Sequence, residues 1–152
     1  MSYICFSKAS KRLHSDADHL VGDHRNCNAG HLHGLAAECG LKYLLLLCGG
    51  LTRDPATGDL VVARGPRPHV NHLIDAGGLA AHYQALVHGH VNARYISLTP
   101  SLAGLRTWKP EFRYYDENHA NYPHASELDW WLASQEIQEA MDAANLDGHP
   151  AY

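Results

Sequence analysis

Thirteen histidines stand in a chain of 152 residues, and imidazole both ligates transition metals and moves protons near neutral pH. Three close pairs bear on that chemistry. His31 and His33 lie two apart on a predicted helix, so they point to nearly opposite sides and do not share one ion. His69 and His72 lie three apart at a predicted helix start and can occupy one face, where imidazole pairs bind zinc. His88 and His90 flank Gly89 and would chelate only in a suitably folded loop. Neither pair has a carboxylate or cysteine at a characteristic spacing, and no HExxH run is present. The expectation is a chain with no resident metal and no other cofactor.

Nucleophilic and phosphate-binding chemistry has less to draw on. There is no Gly-x-Ser-x-Gly elbow, and Cys39 and Cys48 fall in a segment that reads as buried, where thiols are inert. The glycine pairs at 49–50 and 77–78 match neither a phosphate loop nor a dinucleotide fingerprint. Glu38 and Lys42 are four apart in the order that favours a helix ion pair, which is read as structural. The four cysteines are widely spaced without a CxxC pair, so reduced thiols are expected rather than a disulfide framework.

Composition sets the class. The apolar fraction of 45% and charged fraction of 18% belong to a globular chain, long enough to bury one core. The longest apolar run, Tyr43–Cys48, is far too short to cross a bilayer. The opening residues lack the basic-then-apolar pattern of a secretory leader, so a cytoplasmic location and no membrane role are expected. Net charge is −4 but unevenly placed: residues 1–113 hold all 12 Lys and Arg against 8 acids, and residues 114–152 hold 8 acids alone. A weakly basic body with an acidic C-terminal helix permits nucleic-acid binding without demanding it.

These residues must be positioned by helices. Phe6, Ala9, Leu13, Ala17 and Leu20 recur at intervals of three and four and predict a first amphipathic helix ended by Gly22-Asp23, with Asn28 as a candidate N-cap for the next. Residues 28–47 are apolar on most sides and predict an enclosed helix. Within it Gly30, Gly34 and Ala37 form a smooth seam; a helical glycine costs about 1 kcal/mol relative to alanine, which close approach of a neighbouring helix would offset. Leu51–Arg64 predicts a hairpin or extended excursion around Asp54-Pro-Ala-Thr-Gly-Asp, closed by Gly65-Pro-Arg-Pro. A third helix is predicted from His69 through Val87. Residues 89–123, with Pro100, Pro110, Pro123 and the aromatics Trp108, Phe112, Tyr114 and Tyr115, read as a packed strap or a functional loop. A last helix is predicted from Ser126, capped through Asp129, with Leu128, Trp131, Leu132, Ile137, Met141 and Ala144 as its apolar side.

The first third of the chain carries a resemblance. The run Ala9-Ser-Lys-Arg-Leu-His-Ser-Asp-Ala-Asp18, a short turn, then Asn28-Ala-Gly-His-Leu-His-Gly-Leu-Ala-Ala-Glu-Cys-Gly-Leu-Lys42 resembles small bacterial proteins of the HEPN class (higher eukaryote and prokaryote nucleotide-binding). The resemblance implies a single all-α domain, a four- to five-helix up-and-down bundle, commonly a homodimer. It also implies RNA binding or, in some members, metal-independent ribonuclease activity, often in toxin–antitoxin or defence settings. The family's catalytic mark is an Arg and a following His with four to six residues between them, usually with a polar residue directly after the Arg. The imidazole would move the 2′-hydroxyl and leaving-group protons while the guanidinium holds the phosphate.

Five such spacings occur here: Arg12/His19, Arg25/His31, Arg64/His69, Arg67/His72 and Arg113/His119. Arg64 and Arg67 are followed by Gly65 and Pro68, which departs from the polar residue of the pattern. The primary expectation is a non-catalytic helical module that dimerises and binds RNA or a partner protein, with Arg64, Arg67 and Arg113 as its nucleic-acid contacts. The alternatives are a metal-independent endoribonuclease, with His69 or His72 as acid/base and Arg64 or Arg67 as phosphate clamp, and a helical adaptor or inhibitor with no nucleic-acid role.

Overall fold

A computed structural model describes residues 4–48, 51–56, 60–61 and 91–150, the last pair of the hairpin and residues 91–93 by backbone alone. Within them the chain is an all-α bundle of three long helices, α1 (Phe6–Gly22), α2 (Asn26–Leu47) and α3 (Glu127–Leu146). α2 lies against both of the others. The predicted third helix, with Arg64, Arg67, His69, His72, His88 and His90, lies outside the described residues.

α2 is enclosed as its apolar composition requires, burying Ala36, Ala37, Leu41, Tyr43, Leu44 and Leu45. It starts two residues before the expected Asn28, with Arg25 at the N-cap and no side-chain cap bond. The turn before it is a Schellman motif: Arg25 N donates to Leu20 O at 2.9 Å and His24 N to Val21 O at 3.0 Å. His24 takes the left-handed position at φ 60° that glycine usually fills. Gly22 is therefore the last helical residue rather than the stop. The same motif closes α3, where Gly148 at φ 85° donates to Asn145 O and His149 N to Ala144 O.

The buried face of α1 is rotated from the apolar stripe. Phe6 and Ala17 are inside as expected, but Ser7, Ser10 and His14 are buried with them while Leu13 and Leu20 are only partly covered. Partners make this possible. Ser10 Oγ donates to the α2 carbonyl of Ala36 at 2.6 Å and accepts from Gln138 Nε2 of α3 at 2.8 Å. Satisfied in this way, a buried hydroxyl escapes the desolvation penalty that would otherwise expel it.

The glycine seam is also covered differently. Gly34 faces the Trp108 indole, and the space a Cβ would need at Gly30 is bounded by Tyr122, Glu127 and Trp130. The expected helix–helix approach is made by α3, at Gly30 through Glu127 and Trp130 and more tightly at Gly40 through Ile137 and Met141. On α3 itself the buried side is Trp130, Ala133, Ser134, Ile137, Gln138, Ala140, Met141 and Ala144. Leu128, Trp131 and Leu132, expected inside, are exposed. Ser126 precedes α3 after a 3-10 turn (His124–Ser126) and makes no side-chain cap bond, so the expected capping box is not formed.

The excursion after α2 forms a hairpin: β1 (Thr52–Arg53) pairs antiparallel with β2 (Leu60–Val61), Thr52 opposite Val61. Residues 91–114 form a strap of three 3-10 segments, Val91–Leu98, Pro100–Thr107 and Pro110–Tyr114. Leu105, Trp108 and Phe112 anchor it in the core. Trp130 Nε1 donates to Thr107 Oγ1 at 3.0 Å, and Ser101 donates to Glu136 through both its backbone N–H and its hydroxyl. At the C-terminal end of α3, Asp147 receives Arg94 at 2.5 Å and also the Tyr95 hydroxyl.

Candidate binding cleft and basic strap

Two features gather groups with chemical potential. The first is a cleft of about 420 Å³ lined by Asp18 and Val21 of α1, Asn26, Ala29, Gly30 and His33 of α2, and Glu127, Leu128 and Trp131 of α3. On one wall two imidazoles converge on a single carboxylate. His33 Nε2 lies 3.0 Å from Asp18 Oδ1, and His14 Nε2 lies 3.4 Å from Asp18 Oδ2. The two rings are 5.4 Å apart between centroids and tilted by 57°. His14 and Asp18 share a face of α1 because they are one helical turn apart, and α2 supplies His33. His14 is fixed from behind, its Nδ1 2.8 Å from Ser134 Oγ of α3. His33 is buried while Asp18 is half open to the cleft. Burial holds the His33 imidazole below its ordinary 6.5, against the opposing pull of Asp18.

At the other end of the cleft Glu127 Oε1 lies 3.3 Å from His124 Nδ1, which is 4.0 Å from Cys27 Sγ. Burial and the Glu127 carboxylate push the Cys27 thiol up, so it is a poor nucleophile. Tyr122 donates to the carbonyl of Cys27 at 3.2 Å, tying the strap's end to the start of α2.

The second feature is the outer side of the strap. Leu105, Trp108 and Phe112 are buried, and Arg106, Lys109 and Arg113, each one residue further on, are exposed. The same three- and four-residue spacing that drives one stripe into the core thus presents the next as a row of cations. Among the described residues no carboxylate lies within ion-pair distance of these three, whereas Lys11, Lys42 and Arg94 are each paired. The Arg113 guanidinium lies over the Tyr114 ring at 4.6 Å, and Tyr114 is 73% exposed.

Of the expected site residues only Arg113 falls within the described region, and it is exposed. None of the three described Arg–His spacings reads as a built pair. His19 Nδ1 is held 2.7 Å from the carbonyl of Ser15, His119 stacks on Tyr115 at 4.2 Å, and His31 is buried against Trp108 while Arg25 is exposed. His31 instead feels Arg113: burial first, then that positive charge, lowers its pKa. Glu38 and Lys42 form the expected ion pair at 2.5 Å, largely out of solvent. No disulfide joins any of the four cysteines. The His14–Asp18–His33 cluster was missed because only histidine pairs close in sequence were weighed. The available signal was the His14/Asp18 spacing of four on one helix opposite a histidine on the next.

No family model, curated protein or solved structure matches this chain. Among the described residues no helix is long and apolar enough to cross a membrane.

Proposed function

We propose that this chain is a non-catalytic, HEPN-like helical module that binds RNA through the outer row of its strap and dimerises through the exposed apolar stripe of α3. The observation that carries the reading is the cationic row Arg106, Lys109 and Arg113 ending in the Arg113–Tyr114 stack. Unpaired cations neutralise phosphates with release of counterions, and an exposed aromatic ring offers a platform for an unstacked base. Dimerisation is supported by Leu128, Trp131 and Leu132, large apolar side chains left at the surface at i, i+3 and i+4.

The test is binding of a fluorescent single-stranded RNA by anisotropy across a salt series. Three phosphate contacts predict a slope of log affinity against log salt reduced by about 2 when Arg106, Lys109 and Arg113 are replaced by Gln. Tyr114→Ala should cost about 1–3 kcal/mol of binding. No binding at low salt, or a triple variant with the wild-type slope, refutes the reading. Cleavage of the RNA that persists in EDTA replaces it with the ribonuclease alternative, and a protein partner recovered in place of RNA replaces it with the adaptor.

A further inference from the structure

We propose that His14, Asp18 and His33 form a site for one divalent transition-metal ion at the wall of the cleft between α1, α2 and α3. The inference is independent of RNA binding by the strap, which lies on other residues.

Each imidazole already stands near the spacing an ion imposes from one oxygen of the Asp18 carboxylate. Donors about 2.1 Å from a tetrahedral ion are roughly 3.4 Å apart. Here His33 Nε2 and His14 Nε2 lie 3.0 and 3.4 Å from the two oxygens of Asp18, and all three donor groups fall within 4.8 Å of one another. Only small side-chain movements are needed to close them on one centre.

The outer contacts suit the same role. A ligating imidazole normally donates its other N–H to a fixed acceptor, which sets the tautomer and aims the free lone pair. Ser134 Oγ stands in that position behind His14 Nδ1 at 2.8 Å. Accepting the Nδ1 proton, it leaves His14 Nε2 free to face Asp18. On the second imidazole the ion takes the place of the proton now shared between His33 Nε2 and the carboxylate, and that proton moves to Nδ1, so the ring stays neutral.

Three protein ligands leave a further coordination position, and the half-open Asp18 side directs it into the cleft. Two imidazoles and one carboxylate favour zinc, cobalt or iron(II) over the hard cations magnesium and calcium. The carboxylate also resolves an electrostatic problem. A buried histidine pair around one exposed acid leaves the cluster one charge short of a dication, so binding places +1 at a cleft that Glu127 also lines.

The test uses full-length protein stripped with chelator and titrated with zinc or cobalt chloride alone, magnesium serving as the control. The expected result is one cobalt per chain with d–d absorption of low-coordinate geometry, displaced by zinc, and a rise in Tm with added zinc but not magnesium. Asp18→Asn, at an exposed position that leaves the core intact, should abolish the cobalt bands and the Tm response. His14→Gln should do the same. Ser134→Ala, which removes the partner of His14 Nδ1 but no donor atom, should weaken binding by about 10- to 100-fold while keeping the band shape. Cys27→Ser and a His69→Ala, His72→Ala double variant should bind as wild type. The proposal is overturned if Asp18→Asn keeps stoichiometric binding, or if binding follows the Cys27 or His69/His72 variants instead. A wild-type protein that takes up no cobalt at micromolar concentration overturns it as well.

Discussion

Replacing Gly34 by alanine should destabilise the protein although alanine is the better helix former. The substitution gains about 1 kcal/mol of helix propensity. Against this, a Cβ at position 34 would stand 1.9 Å from Trp108 Nε1, 2.1 Å from Cδ1 and 2.3 Å from Cε2. Ordinary contact near 3.5–4.0 Å requires the indole to retreat by roughly 1.6–2.1 Å. The ring is rigid and fully buried, and it is stacked with His31 on its other contacts, so it cannot swing aside as a flexible chain would. Overpacking costs about 1–3 kcal/mol where neighbours adjust, and expulsion of a buried aromatic costs about 3–5 kcal/mol. The net expectation is a loss of about 2–4 kcal/mol, or roughly 5–15 °C in Tm for a chain of this size. Urea and thermal denaturation read it directly. Gly22→Ala is the control, because nothing lies within 4 Å of its added methyl, and it should be neutral or stabilising. In a Trp108→Leu background the Gly34→Ala penalty should shrink, the coupling expected of two side chains competing for one space. A Gly34→Ala protein as stable as wild type would falsify the packing argument for the seam.

Two further outcomes follow from the same geometry. Trp131→Glu places a charge in the exposed apolar stripe of α3, at a side chain that is 36% exposed, and should convert the proposed dimer to a folded monomer by light scattering. A dimer unaffected by it would move the interface elsewhere. In thiol labelling, Cys39 and Cys48, whose pKa values are pushed up to about 11 by burial, should stay unmodified in the native state at pH 8. Cys5, whose thiol is shifted down by hydrogen bonds from Ser7 and Lys8 despite the opposing effect of its burial, should react first. Native labelling of Cys48 at the rate of Cys5 would contradict its placement.

The helices were legible from apolar spacing of three and four, and the enclosure of α2 from apolar residues on most of its sides, although the buried faces of α1 and α3 depart from the predicted stripes. The Glu38–Lys42 pair was legible for a similar reason, since a spacing of four fixes proximity within one helix. What periodicity could not show was which polar groups would be satisfied. Ser10 and His14 look like surface residues until Ala36 O, Gln138 and Ser134 are brought to them by two other helices, and the buried face of α1 turns with them. The same blindness reversed Trp130 and Trp131. Both are equally apolar, and the neighbours brought by α2 and the strap, Gly30, Thr107 and Phe112, decide which of them is covered.

The strap also explains why the candidate sites escaped a reading based on motifs. Leu105, Trp108 and Phe112 keep the three- and four-residue spacing of a helical face, but Leu105 and Phe112 sit on two short 3-10 segments parted at Trp108–Lys109 and restarted by Pro110, so no continuous helix marks the stripe or the cations beside it. The basic row is a by-product of that packing: each anchor driven inward sets the following residue outward. The His14–Asp18–His33 cluster arises from the opposite route, a single helical spacing completed by one residue from a neighbouring helix. Function in this molecule is therefore argued best from tertiary neighbours. A site assembled across α1 and α2, with Ser134 of α3 behind it, has no linear signature beyond four residues, yet it leaves each group a partner that can be removed separately.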